Sequence, residues 1–177
     1  SALPSISAIS KETGLARGTF YLYFKTKEEI FLEVFIEKFM RWIEHSASLV
    51  DHEGPLKIQE VYHFFVSDPT FLHLACILQT ILEENISTGR SIEFKNQIGE
   101  AIIRLSEKVS SKLDLSLDET LHRMMTCYSA IVGVFQTTKS NQKLNPFRDQ
   151  IHYDFLFPDF HREARHMIDM VWRGSLH

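Results

Sequence analysis

Glycine and proline are scarce, at 7 and 5 of 177 residues, and few runs alternate apolar and polar side chains with a period of two. Strand-rich folds lean on both features, so a sheet architecture is argued against from the start. Cysteine is nearly missing. Cys76 and Cys127 lie far apart in apolar segments without CxxC spacing, which disfavours a disulfide framework or a thiolate metal site and predicts buried free thiols in a reducing cytoplasm. No apolar run approaches the ~20 residues of a membrane helix, and no signal-peptide pattern opens the chain. Positive charge is not in surplus either, since the net charge is −4. Enzyme signatures are also lacking: there is no P-loop, no Gly-x-Ser-x-Gly, no HExxH and no glycine-rich turn after a strand. An all-α enzyme therefore stands only as the alternative from another class.

What is present is apolar residue at helical spacing. At 44% hydrophobic, the chain can bury a core in one or two small domains. Phe31, Phe35, Phe39, Trp42, Ile43 and Val50 trace one face of a long helix, and Thr26 with Glu29 forms a capping box at its start. Gly54-Pro55 punctuates the chain, which divides it into residues 1–51 and 52–177. Asp68-Pro69 is an N-cap and N1 pair, and the segment from Phe71 to Ile86 is apolar on most of its circumference, as for a central helix. Phe94, Ile98, Ala101, Ile102, Leu105, Val109 and Leu113 form a further stripe. Ser116 with Glu119 opens another helix, residues 140–158 read as a long ordered connection, and a last helix runs from Asp159 toward Gly174 as a C-terminal cap. No internal repeat or low-complexity tract interrupts this pattern. The fold class is all-α.

Charge is unevenly spread. Residues 1–27 hold Lys11, Arg17, Lys25 and Lys27 against Glu12 alone, while the other 150 residues hold 15 basic and 22 acidic groups. A small basic end on an acidic body suits a protein that touches nucleic acid with one end. That end also has a distinctive pattern. Ser5 can cap a short helix, Gly14 can end it at positive φ, and Phe20 and Phe24, four apart, anchor a second short helix. So short a pair cannot fold alone and needs the long helix beneath it and a further helix besides. The run Ile9-Ser10-Lys11-Glu12-Thr13-Gly14-Leu15-Ala16-Arg17-Gly18-Thr19-Phe20-Tyr21-Leu22-Tyr23-Phe24-Lys25-Thr26-Lys27-Glu28-Glu29-Ile30 resembles the DNA-binding region of TetR-family regulators. The likeness covers about residues 5–50.

That resemblance implies a helix-turn-helix DNA-binding domain joined to an α-helical bundle that dimerises and binds a ligand. The partners it implies are a double-stranded operator, a second copy of the chain and a small effector, with no cofactor, metal or membrane. It places Arg17, Gly18 and Thr19 at the start of the recognition helix, where residues meet base edges. Arg17 can pair with guanine, Thr19 can meet a thymine methyl, and Gly18 permits close approach. Tyr21, Tyr23 and Lys27 match family positions that grip phosphates; Thr26 lies at a helix N-terminus able to hold an anion; Ser5 and Leu22 complete the surface. Each has a bland counterpart. Arg17 also reads as a solvated residue, Tyr21 as packing, Lys27 as a surface partner of Glu28 and Glu29, and Leu22 as lying beside the groove. Ile9, Leu15, Phe20 and Phe24 are expected in the core. Ala16 stands where the family often has Ser or Thr, which removes a side-chain cap worth about 1 kcal/mol. The family's first helix precedes the residues corresponding to Ser5. Ser1-Ala2 reads as a tag remnant, and that helix is expected in the natural protein, here either removed or disordered, with disorder the favoured reading.

For the second part the resemblance implies about five helices, the last two, near 117–138 and 159–175, pairing with the same helices of another subunit. Phe65, Leu72, Cys76, Phe94, Met125 and Tyr128 are the candidate ligand wall, with core packing as the competing reading of each. With few acids or bases at inward positions, that wall suits a lipophilic effector of fatty-acyl, aromatic or drug-like type, its polar atoms met by Tyr128 or His73, and not a nucleotide or sugar phosphate. The long helix would couple the two parts through Phe35, Phe39, Trp42 and Ile43. Asp159, His161, Glu163 and His166 crowd one helix start, but their spacing matches no metal-ligand pattern and reads as solvated surface. The overall expectation is a transcriptional repressor; a non-DNA-binding adaptor on the same fold is the alternative.

Overall fold

A computed structural model describes residues 3–173, with the backbone alone at 140–143 and 145. Its described residues form eight α-helices and no strand: α1 (Ile6–Thr13), α2 (Arg17–Tyr23), α3 (Lys27–Asp51), α4 (Ile58–Val66), α5 (Pro69–Ile77), α6 (Thr88–Leu113), α7 (Leu117–Ser140) and α8 (Phe160–Trp172). The helix starts follow local chemistry. Ser5 Oγ accepts from Ala8 N at 3.2 Å, Thr26 Oγ1 from Glu29 N at 3.2 Å, and Asp68 Oδ1 from Thr70 N at 2.9 Å and Phe71 N at 3.0 Å. Ser116 Oγ likewise accepts from Glu119 N at 3.1 Å, and Asp159 Oδ1 from Arg162 N at 2.8 Å. Each contact satisfies an N–H that the helix itself leaves orphaned. Neither expected capping box closes in the usual way: the Glu29 carboxylate accepts from Lys25 N at 2.6 Å, and the Glu119 carboxylate takes Arg123 Nε at 2.8 Å.

α3 is the axis of the molecule. Leu32, Phe35, Ile36, Phe39, Trp42, Ile43, Ser46 and Val50 recur at helical spacing and are all buried. Burying such apolar side chains contributes about 1.5–3 kcal/mol each. α4, α5 and α6 pack on this helix, and α7 packs on α6 and α8. Polar staples fix α3 to its neighbours. Trp42 Nε1 and Ser46 Oγ both donate to Val61 O of α4, at 2.7 and 3.2 Å, and Lys38 Nζ reaches Asp68 at 2.6 Å. Glu33 pairs with Arg90 of α6, and Asp51 with Lys108 at 2.6 Å. The Trp42 and Ser46 bonds are buried and satisfy two side-chain donors that would otherwise lose their water partners without replacement.

Three expectations are corrected here. The segment from Phe71 to Ile86 is not one helix: α5 ends at Ile77, a π turn spans Leu78–Leu82, and a 3₁₀ turn spans Glu83–Asn85. No glycine or proline breaks it locally. Packing does, since Leu78 and Leu82 are both buried and the wider turn holds both against the core. Leu15 is 49% exposed, and Ile9 and Phe24 are half-buried, because α1 and α2 are too short to enclose them; only Phe20 of the four expected core residues is buried. Cys127 is a buried free thiol, as expected, but Cys76 is half-buried. The expected connection at 140–158 is built largely of 3₁₀ turns, at Asn141–Gln150 and Asp154–Leu156. Ser1-Ala2 and Gly174 lie outside the described residues.

Candidate DNA interface and effector cavity

The turn between α1 and α2 is closed by backbone geometry. Gly14 adopts φ 72°, the left-handed region that L side chains resist, and its N–H donates to Ser10 O at 3.0 Å. α2 then begins at Arg17 with Ala16 as N-cap and no side-chain cap bond. Ser5, Arg17, Tyr21, Thr26 and Lys27 converge on one shallow groove of about 420 Å³, which Ile6, Ser7, Lys25 and Glu28 also line. Gly18, Thr19, Leu22 and Tyr23 lie outside that groove on α2; Leu22 is 79% and Tyr23 76% exposed. Lys25 is the residue that sequence reasoning passed over. Its charge was visible, but nothing in the spacing said that the link between α2 and α3 would bring it to the same groove as Arg17.

The groove is electrically mixed, with Arg17, Lys25 and Lys27 lining it beside Glu28. Lys27 Nζ lies 3.8 Å from Glu28 Oε1, a loose contact, and Glu29 is buried. Arg17, Lys25 and Lys27 gather around the positive end of the long helix α3. A further observation concerns Gly18. A methyl group built on it meets nothing within 4 Å, and its φ is not in the left-handed region. Neither internal packing nor backbone conformation requires glycine there.

The second feature is a cavity of about 250 Å³ between α3, the π turn, α6 and α7. Phe35, Phe39 and Trp42 form its α3 wall; Phe94, Ile98, Gly99 and Ile102 its α6 wall; Met124, Met125 and Tyr128 its α7 wall. Aromatic edges lock the first wall, with Phe35 to Phe94 centroids 6.1 Å apart at 70° and Phe39 to Trp42 5.4 Å apart at 76°. Of the expected wall residues, Phe94, Met125 and Tyr128 line the cavity. Phe65 sits behind it, stacked on Tyr128 at 5.6 Å; Leu72 is buried in the core; Cys76 Sγ faces Val132 O at 3.8 Å. His73 points elsewhere, its Nδ1 2.5 Å from Lys139 Nζ, and burial followed by that ammonium lowers its pKa. Burial first, then the charges of Cys76 and Glu83, pushes the Tyr128 phenol far up, so it stays a neutral donor and acceptor. Two polar lining residues were not foreseen: Gln79, on the π turn, and Lys95, whose ammonium lies 5.4 Å from the Phe94 ring centroid.

A separate polar junction lies deeper. Tyr62, Trp172 and Cys127 are fully buried where α4, α7 and α8 meet, and burial pushes the Cys127 thiol up to about 11. This thiol is therefore unreactive at neutral pH. Among the described residues no group of three or more His, Cys, Asp or Glu is placed to hold a metal ion, and no single helix is long and apolar enough to cross a membrane.

Comparison with known proteins places these features in a family. Residues 4–34 match the model described as "Bacterial regulatory proteins, tetR family", and residues 41–177 match "Tetracyclin repressor-like, C-terminal domain". A curated relative, the "Fatty acid metabolism regulator protein" of Bacillus subtilis (strain 168), is 51% identical over 52 residues, which is 29% of this chain and 27% of that protein. The match thus spans about a quarter of the relative's length. With α1 and α2 inside one matched region and the cavity wall from Trp42 onward inside the other, the chain belongs to the TetR family of bacterial regulatory proteins.

Proposed function

We propose that this chain is a cytoplasmic transcriptional repressor whose residues 1–51 read DNA and whose residues 52–177 dimerise and, together with the middle of α3, bind a lipophilic effector. The observation that carries this reading is the continuity of α3. One unbroken helix runs from Lys27, at the basic groove, to Asp51, and its middle turns wall the cavity. At 1.5 Å per residue, Phe35 to Trp42 lie roughly 12–23 Å from Lys27, so a tilt of roughly 5° at the cavity shifts the reading end by roughly 1–2 Å. In a two-fold dimer that shift changes the spacing of two readers on a palindromic operator, with half-sites about one helical turn or somewhat more apart. An effector that fits one spacing better than the other then changes occupancy.

In this reading Arg17 and Thr19 touch base edges, Gly18 and Leu22 lie against them, and Ser5, Tyr21, Tyr23, Thr26 and Lys27 grip the backbone, with Lys25 added. α7 and α8 supply the dimer face. Thr126, Ser129 and Gly133 make an exposed low ridge on α7, beside exposed Met125, and Met170 is exposed on α8. A methyl group at Gly133 also meets nothing within the chain. Small residues of this kind let two helices approach closely across a symmetric interface. The cavity lies just under the ~300 Å³ lower end for drug-sized ligands, which suits a slim, mainly apolar molecule. The relative's name, a fatty acid metabolism regulator, agrees with such a ligand. The chain is read as a regulator and not as an enzyme.

An electrophoretic shift assay of the full-length protein on the genomic region beside its gene tests this reading. Retardation that is lost on adding a lipophilic compound is expected. No retardation of any neighbouring fragment, or release only by a hydrophilic anion, would overturn it.

A further inference from the structure

The cavity wall is apolar apart from Gln79, the Tyr128 phenol and one cationic side chain, Lys95. Its Nζ lies 5.4 Å from the Phe94 ring centroid and donates to Glu83 Oε1 at 2.8 Å. The two partners differ in their surroundings. The Lys95 side chain is 55% exposed, whereas that of Glu83 is 16% exposed. Glu83 begins the 3₁₀ turn that directly follows the π turn, and Leu78 and Gln79 of that π turn line the cavity. The same carboxylate is near enough to Tyr128, on the opposite wall, to contribute to the rise in its pKa. A carboxylate of the chain itself therefore occupies the cation at the edge of an otherwise apolar space.

We infer that the effector is an amphiphile with a slim apolar tail and a carboxylate head, and that its head takes Lys95 in place of Glu83. This rests on reading the cavity as an effector site and names its ligand class. Exchanging one carboxylate for another leaves the ammonium paired. The released Glu83 gains solvent by turning outward, and its turn carries Leu82 and Leu78, which pack in the core beside α3. An uncharged analogue fills the tail space but leaves the Lys95–Glu83 pair in place. The head thus moves the turn and the tail supplies affinity. The exchange also gives the lysine on this wall a use, since its ammonium sits 5.4 Å from the Phe94 ring centroid at the edge of the cavity.

Isothermal titration of the full-length protein with dodecanoate, methyl dodecanoate and dodecanol, below micellar concentrations at neutral pH, tests the inference. Dodecanoate should bind about fivefold more tightly than either neutral analogue, because Lys95 stays paired while the enclosed Glu83 carboxylate gains solvent. Lys95→Met, which keeps an apolar stem on Phe94, should bring that ratio close to one without weakening the neutral analogues. Glu83→Gln, which removes the competing charge, should tighten dodecanoate several-fold and leave methyl dodecanoate unchanged. Equal binding of acid and ester by the wild type, or an unchanged ratio in Lys95→Met, would overturn the carboxylate assignment while leaving the apolar site intact. Failure of all three compounds to bind the wild type would instead remove the lipophilic site and the assignment together.

Discussion

Replacing Gly18 by alanine separates folding from DNA reading at a single methyl group. Gly18 is the second residue of α2, it is exposed, and an added Cβ meets no atom within 4 Å. Glycine within a helix is about 0.5–1 kcal/mol less favourable than alanine, through the backbone freedom it surrenders on folding. The position is close to the helix end, so the lower figure of about 0.5 kcal/mol applies. For a chain of this size that corresponds to a rise of roughly 1–2 °C in melting temperature. DNA binding should move the other way. If α2 lies in the major groove at this point, the methyl group holds the helix off and displaces the Arg17 guanidinium from a base edge, at a cost of about 1–3 kcal/mol. Thermal melts and fluorescence anisotropy with a labelled operator measure the two effects on one preparation. A variant that is slightly more stable and binds its operator at least fivefold more weakly is the expected result. Unchanged affinity would refute the close approach of α2 to DNA, and a lowered melting temperature would show a packing role for Gly18 that the geometry denies.

The remaining predictions address other links. In the full-length protein, Lys27→Ala should weaken binding to all sequences and reduce the salt slope by about one unit, whereas Arg17→Ala should relax preference at one base pair by roughly 1–3 kcal/mol; like behaviour of the two in salt titrations on matched and mismatched operators would merge their roles. Gly99→Leu should fill the cavity from α6, where a side chain meets open space, and yield a protein that stays on DNA when effector is added, as followed by shift assay; normal release would place the effector elsewhere. Gly133→Arg should convert a dimer to a monomer in light scattering while the circular dichroism spectrum is kept, and a persistent dimer would move the interface off this part of α7. Asp68, although burial alone would raise its pKa, is held below its ordinary value by Lys38 and by the Phe71 and Thr70 N–H groups. The stability it adds is therefore fully present above the ordinary carboxylate value near 4 and is lost as pH falls through the lowered one. Asp68→Asn should flatten that acid limb in urea melts, and an unaltered limb would mean the pair with Lys38 contributes nothing.

Much of this architecture is readable before any coordinates, because helix starts are local. Ser5, Thr26, Asp68, Ser116 and Asp159 each accept a hydrogen bond from a backbone N–H two or three residues on, and such short loops are visible in a string of letters. The α3 core face is readable for the same reason, since a single period runs from Leu32 to Val50. The cavity is less so. Its α6 residue Phe94 and its α7 residues Met125 and Tyr128 belong to regular stripes, but Gln79 faces inward only because the helix widens at Leu78, which no residue type announces. Lys95 escaped because a charged letter beside an apolar stripe reads as solvent-facing, although its stem can follow an aromatic wall. Leu15 misled in the opposite direction. Its apolar letter implies burial, yet burial needs neighbours, and α1 and α2 supply too few.

Trp42 has a use that follows from where its two ends lie. Its ring lines the cavity, while its Nε1 donates at 2.7 Å to Val61 O in a buried bond. The second tryptophan, Trp172, is fully buried and is not among the residues lining that cavity. A ligand arriving beside Trp42 changes the polarity and contact around one indole and leaves the other in constant surroundings. The protein thus carries its own optical probe: the emission of Trp42, read against Trp172 as an internal standard, reports occupancy without label, operator or second component. A strained Val61 bond, as α3 tilts, would register in the same signal, so one spectrum can follow both the arrival of the ligand and the movement it causes.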